Sequence, residues 1–203
     1  MLRRVGKPDS ASLGSYRADG GYSGLRHALS LEPSAVIDVV KRSALRGRGG
    51  AGFPTGLKWS FLPKDHPGPI YLAVNADESE PGTFNNRVVM EDDPHQLIEG
   101  IAIACHAIRA RTAYIYLRFE YGRSYRTLQK AIEDCREAGI LGRNVLGSGV
   151  AIDIHLHRCR ALALRHSLGI IYFISYQKTD SIAGCLHGLL RGFSEGTQQN
   201  THQ

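Results

Sequence analysis

The chain has 203 residues, 42% of them hydrophobic, and a formal net charge of +6, enough for one substantial core with a small appendage. No apolar run approaches the ~20 residues of a membrane helix, and the basic start MLRRVGKPDS lacks the apolar stretch of a secretory signal and the length of a transit peptide. No basic face carries the interleaved aromatics of a nucleic-acid site, so the charge suits an anionic cofactor or an acidic partner, in a protein in or facing the cytosol.

In chain order, GGYSGLRHAL (20–29) reads as a short helix. EPSAVIDVVKRSAL (32–45) reads as a better one, with Pro33 at its first position and Val36, Val39, Val40 and Leu45 as an apolar stripe. A glycine-rich stretch follows. IYLAVN (70–75) has the pattern of a buried strand, and NADESEPGT (75–83) is turn chemistry loaded with carboxylates. In DPHQLIEGIAIACHAI, Asp93 is placed as N-cap and Pro94 as first residue of a helix with Leu97, Ile98, Ile101, Cys105 and Ile108 on one face. Glu91, Asp92 and Asp93 suit that helix's dipole. TAYIYL (112–117) is a second strand. SYRTLQKAIEDCREAG is a second long helix, with Tyr125, Leu128, Ile132 and Cys135 on its stripe and Gly139 placed to end it. AIDIHLH (151–157) is a third strand.

Strands alternating with helices of this length imply right-handed crossovers, hence an α/β fold: a Rossmann-like parallel sheet with covering helices. The expected divisions are a helical lead-in (1–30), an α/β domain (31–158) and a divergent tail (159–203) whose apolar residues keep no clean period. The sheet is expected to be incomplete on its C-terminal side, where Ile170, Ile171 and Phe173 could patch an open edge. Cys105, Cys135, Cys159 and Cys185 form no C-x-x-C pair, so no metal site is expected. His155 and His157 share one strand face but lack a third ligand.

Within RGRGGAGFPTGLKW (46–59), Gly47-x-Gly49-x-x-Gly52 matches the dinucleotide fingerprint as a string. A true fingerprint lies between a strand and a helix. Here a helix precedes it, and Pro54, Gly56 and Pro63 exclude a long helix after it. Two readings remain. One is a flexible linker, although linkers favour glycine with serine. The other is a bare-backbone nest for a phosphate or nucleotide, with Arg46, Arg48 and Lys58 adding charge and Phe53, Trp59 and Phe61 offering ring faces. The second constellation is Asn75, Asp77, Glu78 and Glu80, with Arg87 beyond. It begins at the carboxyl end of a strand, where ligands of open α/β sheets sit. An acidic surface turn is the plainer alternative.

LRGRGGAGFPTGLKWSF, NADESEPGTF, RVVMEDDPHQLIEG and AGILGRNVLGSG, in this order, resemble the NADH-binding flavoprotein subunit of NADH-quinone oxidoreductase (respiratory complex I). Flavoprotein subunits of NAD-linked hydrogenases and formate dehydrogenases share these motifs. The resemblance spans Ser12 to Arg158. It implies hydride transfer from NADH to FMN, then electron delivery to iron–sulfur clusters. By resemblance, Gly47, Arg48, Gly49, Gly50 and Lys58 approach FMN, and Asn75, Asp77 and Glu78 hydrogen-bond it. Glu80 lies beside the nicotinamide as the catalytic carboxylate, and Phe53 and Phe61 sandwich the NADH adenine. The implied partners are a thioredoxin-like 2Fe-2S subunit and an iron–sulfur subunit, with the assembly peripheral on the cytoplasmic face of the membrane and no role for nucleic acid.

Past Arg158 the pattern departs. The family continues with a GAGAYICGEETAL-like motif, a TVVNN segment and a C-x-x-C-x-x-C motif for a 4Fe-4S cluster, whereas this chain reads CRALALRHSLGIIYF. A frameshift after Arg158 would produce such a break. The expectation is weak or no FMN binding by this chain alone, and the alternative is a non-catalytic nucleotide-binding or interaction fragment.

Overall fold

The structure, a computed structural model, describes residues 2–47, 51–63, 67–159 and 171–175, the last five and Cys159 as backbone only. Its helices are α1 (Leu13–Ala18), α2 (Ser23–Leu29), α3 (Pro33–Arg42), α4 (Thr55–Ser60), α5 (Asn85–Asp92), α6 (Pro94–Ile108) and α7 (Gly122–Glu137). The strands are β1 (Tyr71–Ala76), β2 (Thr112–Arg118), β3 (Asp153–Cys159) and β4 (Ile171–Ser175).

All pairings are parallel, in the order β3-β2-β1-β4. The fold is therefore the expected α/β sheet. The chain steps outward from β1 to β2 to β3 and then returns to the other side of β1, so the winding reverses between β1 and β4. β4 lies in the stretch whose sequence has no clean period, and Ile171 and Phe173 do pair with Tyr71 and Ala73 of β1. Ile170 falls outside the described residues.

One sheet face is made of Leu72, Val74, Ala76, Ala113, Ile115, Leu117 and Ile154, all buried beneath α6 and α7. The opposite face carries Tyr71, Tyr114, Tyr116, His155 and His157. There Tyr114 stacks on His155 at 5.4 Å and Tyr116 on His157 at 6.0 Å. No cluster of metal-ligand type occurs among the described residues.

Helix ends follow local chemistry. Gly139, at φ +67°, lets Ile140 N–H return to the Cys135 carbonyl at 2.8 Å, the stop expected for α7. Asp93 occupies the N-cap position of α6, but its side chain makes no cap hydrogen bond. It turns instead to Arg4, 3.2 Å away. Glu91 and Asp92 end α5 and face α7, where Ser124 and Arg123 meet them. A buried guanidinium outcompetes an amide for a carboxylate because both are charged and a charge-assisted hydrogen bond is stronger than one from a neutral amide.

The α3 stripe is rotated from its expected face. Val36 is buried and Val40 half-buried, whereas Val39 and Leu45 are 42% and 46% exposed. The cause is α4, which packs on the Lys41 side of α3 through Gly56. A Cβ on Gly56 would lie 2.5 Å from the Lys41 backbone nitrogen. Gly56→Ala is expected to lower stability by about 1–3 kcal/mol. Gly100→Ala, on the exposed face of α6 with nothing within 4 Å among the described residues, should instead raise it by about 0.5–1 kcal/mol. Urea unfolding followed by circular dichroism measures both.

Candidate functional site

The acidic turn leaves the carboxyl end of β1, beside β4, at the point where the winding reverses. In open α/β sheets, ligands sit at such a point. Asn75 is buried, and its Oδ1 accepts the Asp77 N–H at 2.9 Å. Asp77 is half-buried and accepts the Ser79 hydroxyl at 2.8 Å. Glu80 is exposed, and its backbone carbonyl accepts the Thr83 N–H at 3.1 Å. Among the described residues its carboxylate has no partner.

Glu78 behaves differently. It is fully buried. Its Oε1 accepts the Asn86 N–H at 2.9 Å, and its Oε2 accepts the Arg87 N–H and the Tyr121 hydroxyl, each at 3.2 Å. The carboxylate thereby satisfies first-turn amides of α5, where negative charge is favourable. The resemblance implies that Glu78 hydrogen-bonds FMN; in the structure its carboxylate is already engaged with protein. Burial, with the Glu78 carboxylate next, raises the Tyr121 phenol from its ordinary value and keeps it a donor. Arg87 and Arg118 each place a guanidinium 5.8 Å from the Tyr121 ring. Next to the turn, Val74, Ala76, Val89, Met90 and Leu97 line a cavity of about 20 Å³. Asn75 and Asn86 also line it, and Asn86 Nδ2 is buried without a partner among the described residues.

The glycine-rich loop is closed at its base. Gly47 N–H donates to the Phe53 carbonyl, and Thr55 N–H to the Leu45 carbonyl, both at 2.9 Å. Arg46 and Pro54 form an antiparallel bridge. The loop thus follows a helix and leads into the six-residue α4, so the fingerprint is a match of letters only. A pinched loop is also not a free linker. Gly52 holds φ +53°, and among the described residues no atom stands within 4 Å of the point where a methyl group would lie. Arg48, Gly49 and Gly50 lie outside the described residues.

Lys58 stands on α4, half-buried, and burial draws its ammonium down from the ordinary lysine value. Trp59 is buried packing. Phe53 and Phe61 are 44% and 60% exposed, with centroids 6.1 Å apart and planes tilted by 54°. Two rings holding a flat base between them need a separation of about 7 Å and parallel planes. These two are exposed neighbours, and in this arrangement they touch each other.

The fold therefore joins Asn75, Asp77 and Glu78 in one hydrogen-bonded turn and pairs Phe53 with Phe61. The two groups stand on different supports, β1 with α5 and α3 with α4. Sequence reasoning missed Arg118, Tyr121 and Asn86. Arg118 ends β2 as Asn75 ends β1, so the rule that picked out the acidic turn could have picked out its neighbour.

Residues 40–163 match the family model described as the Nuo51 FMN-binding domain. One of the NADH-quinone oxidoreductase F subunits of Rhizobium meliloti (strain 1021) is 54% identical over 78% of this chain and 38% of its own length. The NADH-quinone oxidoreductase F subunit of Aquifex aeolicus (strain VF5) is 52% identical over 78% and 37%. The NADP-reducing hydrogenase subunit HndC of Solidesulfovibrio fructosivorans is 47% identical over 76% and 31%. An NAD+-reducing [NiFe]-hydrogenase in the H2-reduced state has a solved chain that aligns with TM-score 0.55 and 36% identity, over 67% of this chain and 23% of that one. The chain thus spans somewhat over a third of the length of the first two relatives. No helix among the described residues is long and apolar enough to cross a membrane. Fold, turn and matched segment coincide, and this chain belongs to the Nuo51 FMN-binding domain family.

Proposed function

We propose that this chain supplies the FMN- and NADH-contacting half of the flavoprotein subunit of an NADH-quinone oxidoreductase. The observation that carries the reading is the position of Asn75, Asp77 and Glu80 at the sheet's switch point, inside the matched segment. The residues fit a flavin mononucleotide in kind. Lys58 is a half-buried cation on α4 that would suit a phosphate, with Arg48 and the backbone of Gly47, Gly49 and Gly50 adding donors. Asn75 and Asp77 offer acceptors to ribityl hydroxyls, and Glu78 fixes the turn that bears them. FMN, when bound, accepts hydride from NADH and releases electrons singly. The protein's part is placement: Glu80 would stand beside the nicotinamide, and Phe53 and Phe61 would part to take the adenine.

Downstream, a thioredoxin-like 2Fe-2S subunit and an iron–sulfur subunit receive the electrons, in an assembly peripheral to the cytoplasmic face of the membrane. The hydrogenase relatives favour one alternative host, an NAD-linked hydrogenase, and the neighbouring genes separate the two.

FMN fluorescence titration tests the proposal. Weak, saturable quenching is expected from this chain. Lys58→Met should raise the dissociation constant about tenfold, or ~1.4 kcal/mol. Quenching that saturates alike in the wild-type chain and in Lys58→Met overturns the reading.

A further inference from the structure

The turn from Asp77 to Thr83 is tied to itself by the Thr83–Glu80 hydrogen bond, which gives it no fixed place relative to the sheet. Asn75 holds its base. Its middle is held through Glu78 at both ends of that residue. The Glu78 carbonyl accepts Arg118 Nη1 at 2.6 Å and the Tyr121 hydroxyl at 3.4 Å, while the carboxylate takes the α5 amides and the same hydroxyl. Arg118 is the last residue of β2 and Tyr121 the N-cap position of α7, and Tyr121 N–H donates to the Arg118 carbonyl at 3.1 Å. Arg118 Nε is braced on Glu120 at 3.1 Å.

We infer that Arg118 and Tyr121 are positioning residues, which through Glu78 hold the turn bearing Asp77 and Glu80 at the carboxyl edge of the sheet. The adjacent β2–α7 connection thus sets the geometry of the β1–α5 connection. Exposed Glu80 has no other anchor among the described residues, and a reacting geometry has to be held within about 0.5 Å. Four donors supply that rigidity: the two α5 amides, the Arg118 guanidinium, and the Tyr121 hydroxyl shared between carboxylate and carbonyl. What the turn binds rests on the proposed function; the pin itself does not.

The test uses the full chain with Tyr121→Phe, which removes one hydroxyl, and Arg118→Met. In ligand-free protein the Asn86 and Arg87 amides should exchange hydrogen about tenfold faster in each variant, with the global unfolding midpoint nearly unchanged. The FMN dissociation constant should rise about fivefold, its salt dependence unaltered. Because both side chains act through Glu78, the double variant should be no more than about twofold worse than the worse single one. Wild-type exchange at the two amides overturns the inference, as do losses that multiply. A flattened salt dependence in Arg118→Met also overturns it, since Arg118 would then touch the phosphate directly. Faster exchange with an unchanged FMN dissociation constant supports the pin and overturns the FMN reading of the turn instead.

Discussion

Arg4→Met lowers the unfolding free energy by about 3–5 kcal/mol, the largest expected loss from one substitution in this chain. Arg4 is 2% exposed although it lies near the chain start. Its guanidinium reaches Asp93 at 3.2 Å, the Ser10 carbonyl at 2.8 Å, the Ser15 carbonyl at 3.1 Å and Asp19, and it lies 5.1 Å from the Tyr16 ring. Asp93 is 1% exposed, and its Oδ2 already lacks a partner among the described residues. Burial raises the Asp93 carboxyl and Arg4 opposes that shift. Removal of Arg4 therefore leaves a carboxylate buried without its counter-charge. Total stabilities of about 5–15 kcal/mol make such a loss partly unfolding. Arg4→Lys should recover only a fraction, because an ammonium cannot span this fork of acceptors. Arg4→Met with Asp93→Leu should recover more, because the stranded charge is gone. Urea unfolding measures all three, and a cost below about 1 kcal/mol for Arg4→Met would show that the network is solvated.

Acid weakens the fold through His95. The ring is fully buried, with Nδ1 2.8 Å from the Tyr22 hydroxyl and 3.5 Å from Cys135 Sγ, and it stacks on Tyr16 at 5.8 Å. Nε2 has no partner among the described residues. Burial pulls the imidazole from 6.5 down to about 4; Asp134 opposes this, and Arg4, Arg17 and Lys130 add to it. The folded value lies below the unfolded one, so on acidification the unfolded chain takes up the proton first. Stability is full above about pH 6.5 and declines toward pH 4, by about 2 kcal/mol between pH 7 and pH 5. His95→Asn, whose amide reaches the Nδ1 position without titrating, should remove that slope. The wild-type minus variant difference, taken at each pH, cancels the titration of Asp93. Parallel stability curves for the two proteins between pH 7 and pH 5 would overturn the assignment to His95.

Arg4, Tyr16, Tyr22, Asp93, His95 and Glu99 together fasten the first thirty residues to α6. Glu99 takes the Tyr16 hydroxyl at 2.5 Å and the N–H groups of Tyr22 and Leu25 at 3.0 and 2.9 Å. The helical lead-in shares the core of the α/β body, since Tyr16, Tyr22, Leu25 and Ala28 belong to the same apolar cluster as β1 and α6.

Periodicity alone determined the elements whose burial is a property of one face: β1, β2, β3, α6 and α7, and the Gly139 stop. It also placed the acidic turn at a strand end, and its motifs named the family. Everything set by a partner distant in the chain came from the tertiary structure. The stripe of α3 turned because Gly56 admits the α3 backbone. Asp93 left its cap because a guanidinium eighty-nine residues away binds a carboxylate more strongly than one amide does. β4 formed within an aperiodic stretch because the open edge of β1 offers unpaired backbone groups. Glu78, which reads in sequence as one more carboxylate of an acidic turn, became buried because three donors from α5 and Tyr121 converge on it. Sequence records the preferences of a segment, and it does not record which distant group will meet them.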